Sequence, residues 1–92
     1  MIVRVFSEGQ YEIEDGAIDR MRELDARTQQ AIEAGDEAGF RGAYDELLSL
    51  LRSEGTPLAD DDLRGSDLML PPPDISLAEA QAEFSDHGLI PD

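Results

Sequence analysis

Three groups of side chains carry the functional chemistry available to this 92-residue chain: a run of aspartates, a lone histidine, and a surplus of carboxylates. Asp60, Asp61 and Asp62, with Asp67 a few residues on, supply the oxygen donors that hard cations such as calcium or magnesium prefer. Consecutive residues point in different directions, however, and the spaced ligands and central glycine of a calcium-binding loop are missing. The triplet therefore reads as a solvated acidic turn or helix cap. His87 is the only histidine, and Asp86 beside it suggests an acid–base pair for hydrolysis. Adjacent residues rarely converge on one substrate atom, and no second histidine, nucleophile elbow or metal-ligand spacing accompanies them, so Ser76 and Ser85 have no evident activating base. Glu8-Gly9-Gln10 and Arg64-Gly65-Ser66 are turn segments rather than phosphate cradles, because they lack the repeated glycines and the lysine of such loops. No cofactor is expected, and a small metal-dependent hydrolase is the class least supported by these residues.

The carboxylates remain. Twenty-two Asp and Glu against seven basic residues give a formal charge of −15, and all seven cations are arginine, scattered at positions 4, 20, 22, 27, 41, 52 and 64. Recognition of nucleic acid needs a clustered basic footprint, and anionic lipid headgroups repel a surface of this sign. Proteins are the partners left. The absence of cysteine excludes disulfides, thiolate metal sites and thiol nucleophiles, and fits a reducing cytoplasm. The amino terminus has no signal-peptide pattern, and no apolar run reaches the roughly 18 residues of a membrane span.

The elements that must position these groups follow from periodicity. Ile2 to Phe6 and Gln10 to Ile13 are rich in β-branched and aromatic residues, and Ser7-Glu8-Gly9 between them forms a turn, which predicts a β-hairpin over residues 1–14. Val3 and Val5 share one face, Ile2, Arg4 and Phe6 the other, and Tyr11 and Ile13 point inward from the second strand. An exposed hairpin edge can pair with a copy of itself, so a homo-oligomer, or a self-assembling acidic structural module, is the alternative function.

Residues 15–54 predict an antiparallel helical pair. Asp15 is an N-cap candidate, and Ala17, Met21, Leu24, Thr28 and Ala31 recur at helical spacing, widened by Ile18 and Ile32. Gly35 suits a left-handed C-terminal position, and Asp36 caps a second helix, whose stripe of Phe40, Ala43, Tyr44, Leu47, Leu48, Leu50 and Leu51 is the strongest burial signal in the chain. Gly55 and Pro57 end it. Residues 55–75, with four prolines, read as an extended arm that docks Leu58, Leu63, Leu68 and Leu70 on the helices. Over residues 76–92, Ser76-x-x-Glu79 is a capping box that opens a short helix to about Phe84, and Leu89 and Ile90 end the chain with an apolar pair. The fold class expected is α+β in one domain over residues 1–92: an N-terminal β-hairpin packed on an antiparallel helical pair, then an extended Pro-rich arm and a short helix.

Three stretches of this sequence resemble the PspA-associated protein family, PspAA, the small companions of the phage-shock membrane-stress protein PspA. They are MIVRVFSEGQYEI (1–13), GTPLADDDLRGSDLMLPPPD (55–74) and SLAEAQAEFSDHGLIPD (76–92). The GQY start, the GTPL and SDL-x-LPPPD segments and the GLIP end carry the likeness, while the intervening helices match in pattern alone. The resemblance implies a non-enzymatic accessory that works beside a PspA-type coiled-coil protein in the cytoplasm, peripheral at the inner face of the membrane and touching it only through that partner. It brings no catalytic residues and no mapped site. The contact residues expected are therefore drawn from the sequence itself: the acidic helix faces bearing Asp19, Glu23, Glu33 and Glu37, and the apolar strip Leu68-Met69-Leu70.

Overall fold

The first two strands, β1 (Ile2–Val5) and β2 (Gly9–Glu12), pair antiparallel with Val3 opposite Tyr11 and Val5 opposite Gly9. A computed structural model describes residues 1–59 and 65–83. β1 ends one residue before the expected Phe6, because the chain turns through Ser7, in the left-handed region at φ 68°, and Gly9 at φ 137°. Val3, Val5 and Ile13 are buried in the core cluster. Ile2 is buried as well, outside that cluster, so only Arg4 and Phe6 of its predicted face are exposed.

Within the predicted arm two short segments are strands, and Leu68 and Leu70 join the core as expected, while residues 60–64 lie outside the described residues. β3 (Thr56–Pro57) lies antiparallel to β2, with Pro57 opposite Tyr11, and β4 (Leu68–Leu70) lies parallel to β1, with Leu68 opposite Val3 and Leu70 opposite Val5. The sheet is four-stranded and mixed, in the order β3-β2-β1-β4. Leu58, expected on the helices, runs beside the sheet, its N–H donating to the Gln10 carbonyl at 3.0 Å. Both hairpin edges are thus covered, which removes the exposed edge on which self-pairing was argued. The edges that remain are poor templates: β3 is two residues long and contains proline, and β4 runs into Pro71-Pro72, which have no N–H to offer.

Helix α1 (Asp15–Ala34) and helix α2 (Glu37–Glu54) pack side by side. The N-cap of α1 is Glu14 rather than Asp15, and its side chain makes no capping bond. The junction between the helices follows the sequence. Gly35 sits at φ 69°, and the N–H groups of Gly35 and Asp36 donate to the carbonyls of Ile32 and Ala31, the paired closure that a left-handed residue permits. Asp36 then accepts from the Gly39 N–H at 3.0 Å. At the far end of α2, Gly55 is extended (φ −79°) and not left-handed. Glycine is needed there for room, since a Cβ would lie 2.4 Å from the Leu51 carbonyl oxygen and 3.1 Å from Tyr11 Cβ.

The α2 stripe is the core as expected: Phe40, Tyr44, Leu47, Leu48, Leu50 and Leu51 are all buried. Phe40 and Tyr44 stack with ring centroids 5.8 Å apart. From α1 come Ala17, Met21, Thr28, Ala31 and Ile32, with Ile18 and Leu24 half-buried against them. Asp25 and Gln29 are also buried on this helix, although their residue types read as surface. Helix α3 (Leu77–Glu83) is opened by the predicted capping box: the Glu79 N–H donates to Ser76 Oγ at 3.1 Å and the Ser76 N–H to Glu79 Oε1 at 3.3 Å.

Candidate functional site: a groove with an acidic rim

Parity within β4 decides what the Leu68-Met69-Leu70 strip can do. Successive side chains of a strand face opposite sides. Leu68 and Leu70, at 8% and 0% exposure, join the core, whereas Met69 is 49% exposed on the opposite face. Two of the three residues expected to meet a partner are therefore committed to the fold, and Met69 alone is presented. The period-two pattern of Leu-Met-Leu was the signal that could have separated them.

Met69 does not stand alone. Phe6, in the turn just after β1, is 48% exposed, and these two are the large apolar side chains most exposed among the described residues. Both line one groove of about 500 Å³, whose other apolar wall is Pro71, Pro72 and Ile75. Asp74 and Glu79 line the same groove and are both exposed, and Glu79 also accepts the Ser76 N–H through Oε1.

The wall is held from beneath by α2. Proline supplies no N–H, so the carbonyls of the Pro71–Pro73 segment need donors from elsewhere. Tyr44 hydroxyl donates to the Pro71 carbonyl at 2.6 Å, a buried bond. Arg41 forks onto the carbonyls of Pro73 (2.7 Å) and Ile75 (2.9 Å), and the loop closes on itself through the Ile75 N–H to the Pro72 carbonyl at 3.1 Å. Burial pushes the Tyr44 hydroxyl well above its ordinary pKa, against the pull of the Arg41 charge, so it stays a donor. Sequence reasoning placed Tyr44 only in the apolar stripe. Its hydroxyl, like the Arg41 fork, serves a residue roughly thirty positions away, which no local pattern records.

The acidic faces are presented as expected. Asp19, Glu23, Glu33 and Glu37 are all exposed. Asp19 and Glu23 are one turn apart on α1, Glu33 returns to the same side by the helical repeat, and Glu37 opens α2. Glu23 lies 3.5 Å from Arg27, and Glu33 accepts from Gln29 Nε2 at 3.3 Å. Arg20 is tied to Glu54 at 2.8 Å, Arg27 to Glu23 and Glu46, Arg41 to Asp45, and Arg52 to Glu8. The Arg52 bond holds the Glu8 carboxyl below its usual range, assisted by the Tyr11 hydroxyl.

Of the catalytic and metal candidates, Asp67 and Ser76 fall among the described residues. Asp67 Oδ2 accepts from the Ile2 N–H at 2.8 Å, so this carboxylate closes the start of β1. Ser76 is spent on the α3 cap. Asp60, Asp61, Asp62, Leu63, Ser85, Asp86, His87, Leu89 and Ile90 lie outside the described residues. Among the described residues no group of three or more histidines or carboxylates could hold a metal ion, and no helix is long and apolar enough to cross a membrane.

The class defined by these features is a small α+β protein whose distinctive surfaces are an apolar groove with an acidic rim and exposed acidic helix faces. The model of the PspA-associated protein family, PspAA, matches residues 1–92, and the chain belongs to that family. No curated protein and no solved structure matches it at a significant level.

Proposed function

We propose that this protein is a non-enzymatic accessory that binds a PspA-type coiled-coil protein in the membrane-stress response and reaches the membrane only through that partner. The observation that carries the reading is membership of the PspA-associated family over residues 1–92. The charge supports the indirect route, since a −15 chain whose Arg20, Arg27, Arg41 and Arg52 are paired with acids has little to offer an anionic bilayer. Exposed Asp19, Glu23, Glu33 and Glu37 steer the encounter with a cationic stretch of the partner, and Met69 contributes apolar contact once the two meet. Leu68 and Leu70 support Met69 from the core side.

Co-sedimentation with anionic liposomes tests this. The isolated protein stays in the supernatant and pellets when purified PspA is added, and raised salt slows the association. Charge reversal at Asp19 and Glu23 lowers the association rate. Direct pelleting without PspA, or no association with PspA at any salt, sinks the adaptor reading.

A further inference from the structure

The sheet has one face on the helices and an outer face that carries Arg4, Phe6 and Met69, with Arg4 opposite Met69 in register. At the Phe6 end this outer face runs into the proline wall, and the groove between them is already formed, because Tyr44 and Arg41 fix the wall to α2. We infer that this groove seats one face of an amphipathic helix from a partner protein, with apolar side chains entering between Phe6, Met69 and Ile75 and flanking Lys or Arg residues meeting Asp74 and Glu79. The surface rests on the adaptor reading only for the partner's identity.

Backbone chemistry and charge select that occupant. A strand added to β4 finds few partners, since the strand is three residues long and Pro71 and Pro72 follow it without N–H groups. Recognition at this edge therefore falls to side chains. A second copy of the chain brings another fifteen net negative charges to an acidic rim, and residues 84–92 carry acids and no Lys or Arg. Like charges disfavour both, whereas a cationic helix gains from the rim and from the field of the whole molecule. Arg4 stands beside Met69 but does not line the groove. Its position sets the polarity of the bound helix, with the partner's basic residues toward Asp74 and Glu79 rather than toward β1.

The three methionines report on this directly. Met69 sits in the groove, Met21 is buried in the core, and Met1 is partly buried beside it. The full chain with ¹³C-labelled methionine methyls is titrated with an 18-residue Leu/Lys amphipathic helix and with its Leu/Glu counterpart. The Lys peptide shifts the Met69 methyl saturably and leaves Met21 in place, the Glu peptide shifts neither, and Phe6→Ser or Met69→Glu weakens the Lys peptide at least tenfold. A melt within a few degrees of wild type qualifies each variant, and Met69→Gln replaces any that fails. The groove is refuted if the Lys peptide leaves Met69 unmoved or binds the variants as well as wild type. A Met69 shift that follows protein concentration alone assigns the groove to a second copy, and one that follows deletion of residues 84–92 assigns it to the chain's own tail; either refutes the proposal. Purified PspA separates the two readings. Equal binding of PspA to wild type and Met69→Glu removes the groove and keeps the adaptor, whereas PspA that ignores wild type while the Lys peptide binds it removes the adaptor and keeps the groove.

Discussion

Tyr44→Phe probes the link between the core helix and the proline wall with the loss of a single oxygen. The aromatic ring stays, so stacking on Phe40 and filling of the core are preserved. What disappears is the 2.6 Å bond to the Pro71 carbonyl, a buried acceptor that loses its donor. A neutral hydrogen bond contributes about 0.5–1.5 kcal/mol net, and an acceptor stranded in the interior costs about 1–3 kcal/mol. Partial relief comes from no longer burying a hydroxyl, so the expected loss is about 2 kcal/mol, or roughly 8–16 °C in melting temperature for a domain of this size. Local opening should be reported by the Phe6 N–H, which donates to the Leu70 carbonyl at 3.1 Å and should exchange faster with solvent. The pH dependence gives an independent readout. The folded-state pKa of Tyr44 is raised by burial, so its contribution is complete below the unfolded value near pH 10 and is lost as pH rises above it. Wild type should therefore lose more stability above about pH 10 than Tyr44→Phe does. Tyr11 is common to both proteins and cancels in the comparison. A variant that melts within a degree of wild type and shows unchanged exchange at Phe6 would refute the claim that α2 holds the wall.

The remaining predictions concern stability. Leu47→Ala, at a position with no exposure, should cost about 2–5 kcal/mol by leaving a cavity, and a melt close to wild type would show that the α2 stripe is not core. Gln29→Met should raise stability by about 1 kcal/mol in chemical denaturation, because Gln29 Oε1 is buried without a partner and only its amide nitrogen is bonded, to Glu33. A lowered midpoint would mean that the oxygen is satisfied after all. Glu8→Gln should destabilise at pH 7, where the carboxylate binds Arg52. Since the folded-state pKa of Glu8 is depressed, chiefly by that bond, its contribution is present above the unfolded value of about 4.3 and lost as pH falls through the lower folded value. The difference between the two proteins should therefore close on acidification, and a constant difference down to pH 2 would count against the pair.

What was legible in the sequence had local causes. The helical stripes, the Gly35-Asp36 junction and the Ser76–Glu79 box are specified by residues within a turn or two of one another, and the structure contains them as read. The hairpin was legible for the same reason, as β-branched and aromatic residues around a short glycine-containing turn. β3 and β4 were not. They are two and three residues long, lie in a proline-rich segment, and become strands only because β2 and β1 offer them backbone partners more than forty residues away. Asp67 shows the same limit. In sequence it reads with the aspartates before it, yet its bond is to Ile2, at the other end of the described chain. The acidic faces could be read because charge on a helix stays exposed by default. The groove could not, since it needs Phe6 from a turn and Met69 from an unforeseen strand to meet.

β4 ties the surface to the core. Leu68 and Leu70 can be buried only if Met69 points away, because the pleat allows no other arrangement. A register slip of one residue would exchange them, exposing two leucines and burying Met69. The bonds that prevent it lie on both sides of the strand: the Asp67 N–H to the Ile2 carbonyl before it, and Tyr44 and Arg41 on the carbonyls of Pro71, Pro73 and Ile75 after it. The prolines serve the same end twice. They remove N–H groups that would invite a further strand, and the carbonyls of Pro71 and Pro73 take their donors from Tyr44 and Arg41 of α2. The proline-bounded edge is a poor template for a further strand, and the burial of Leu68 and Leu70 holds Met69 exposed beside it.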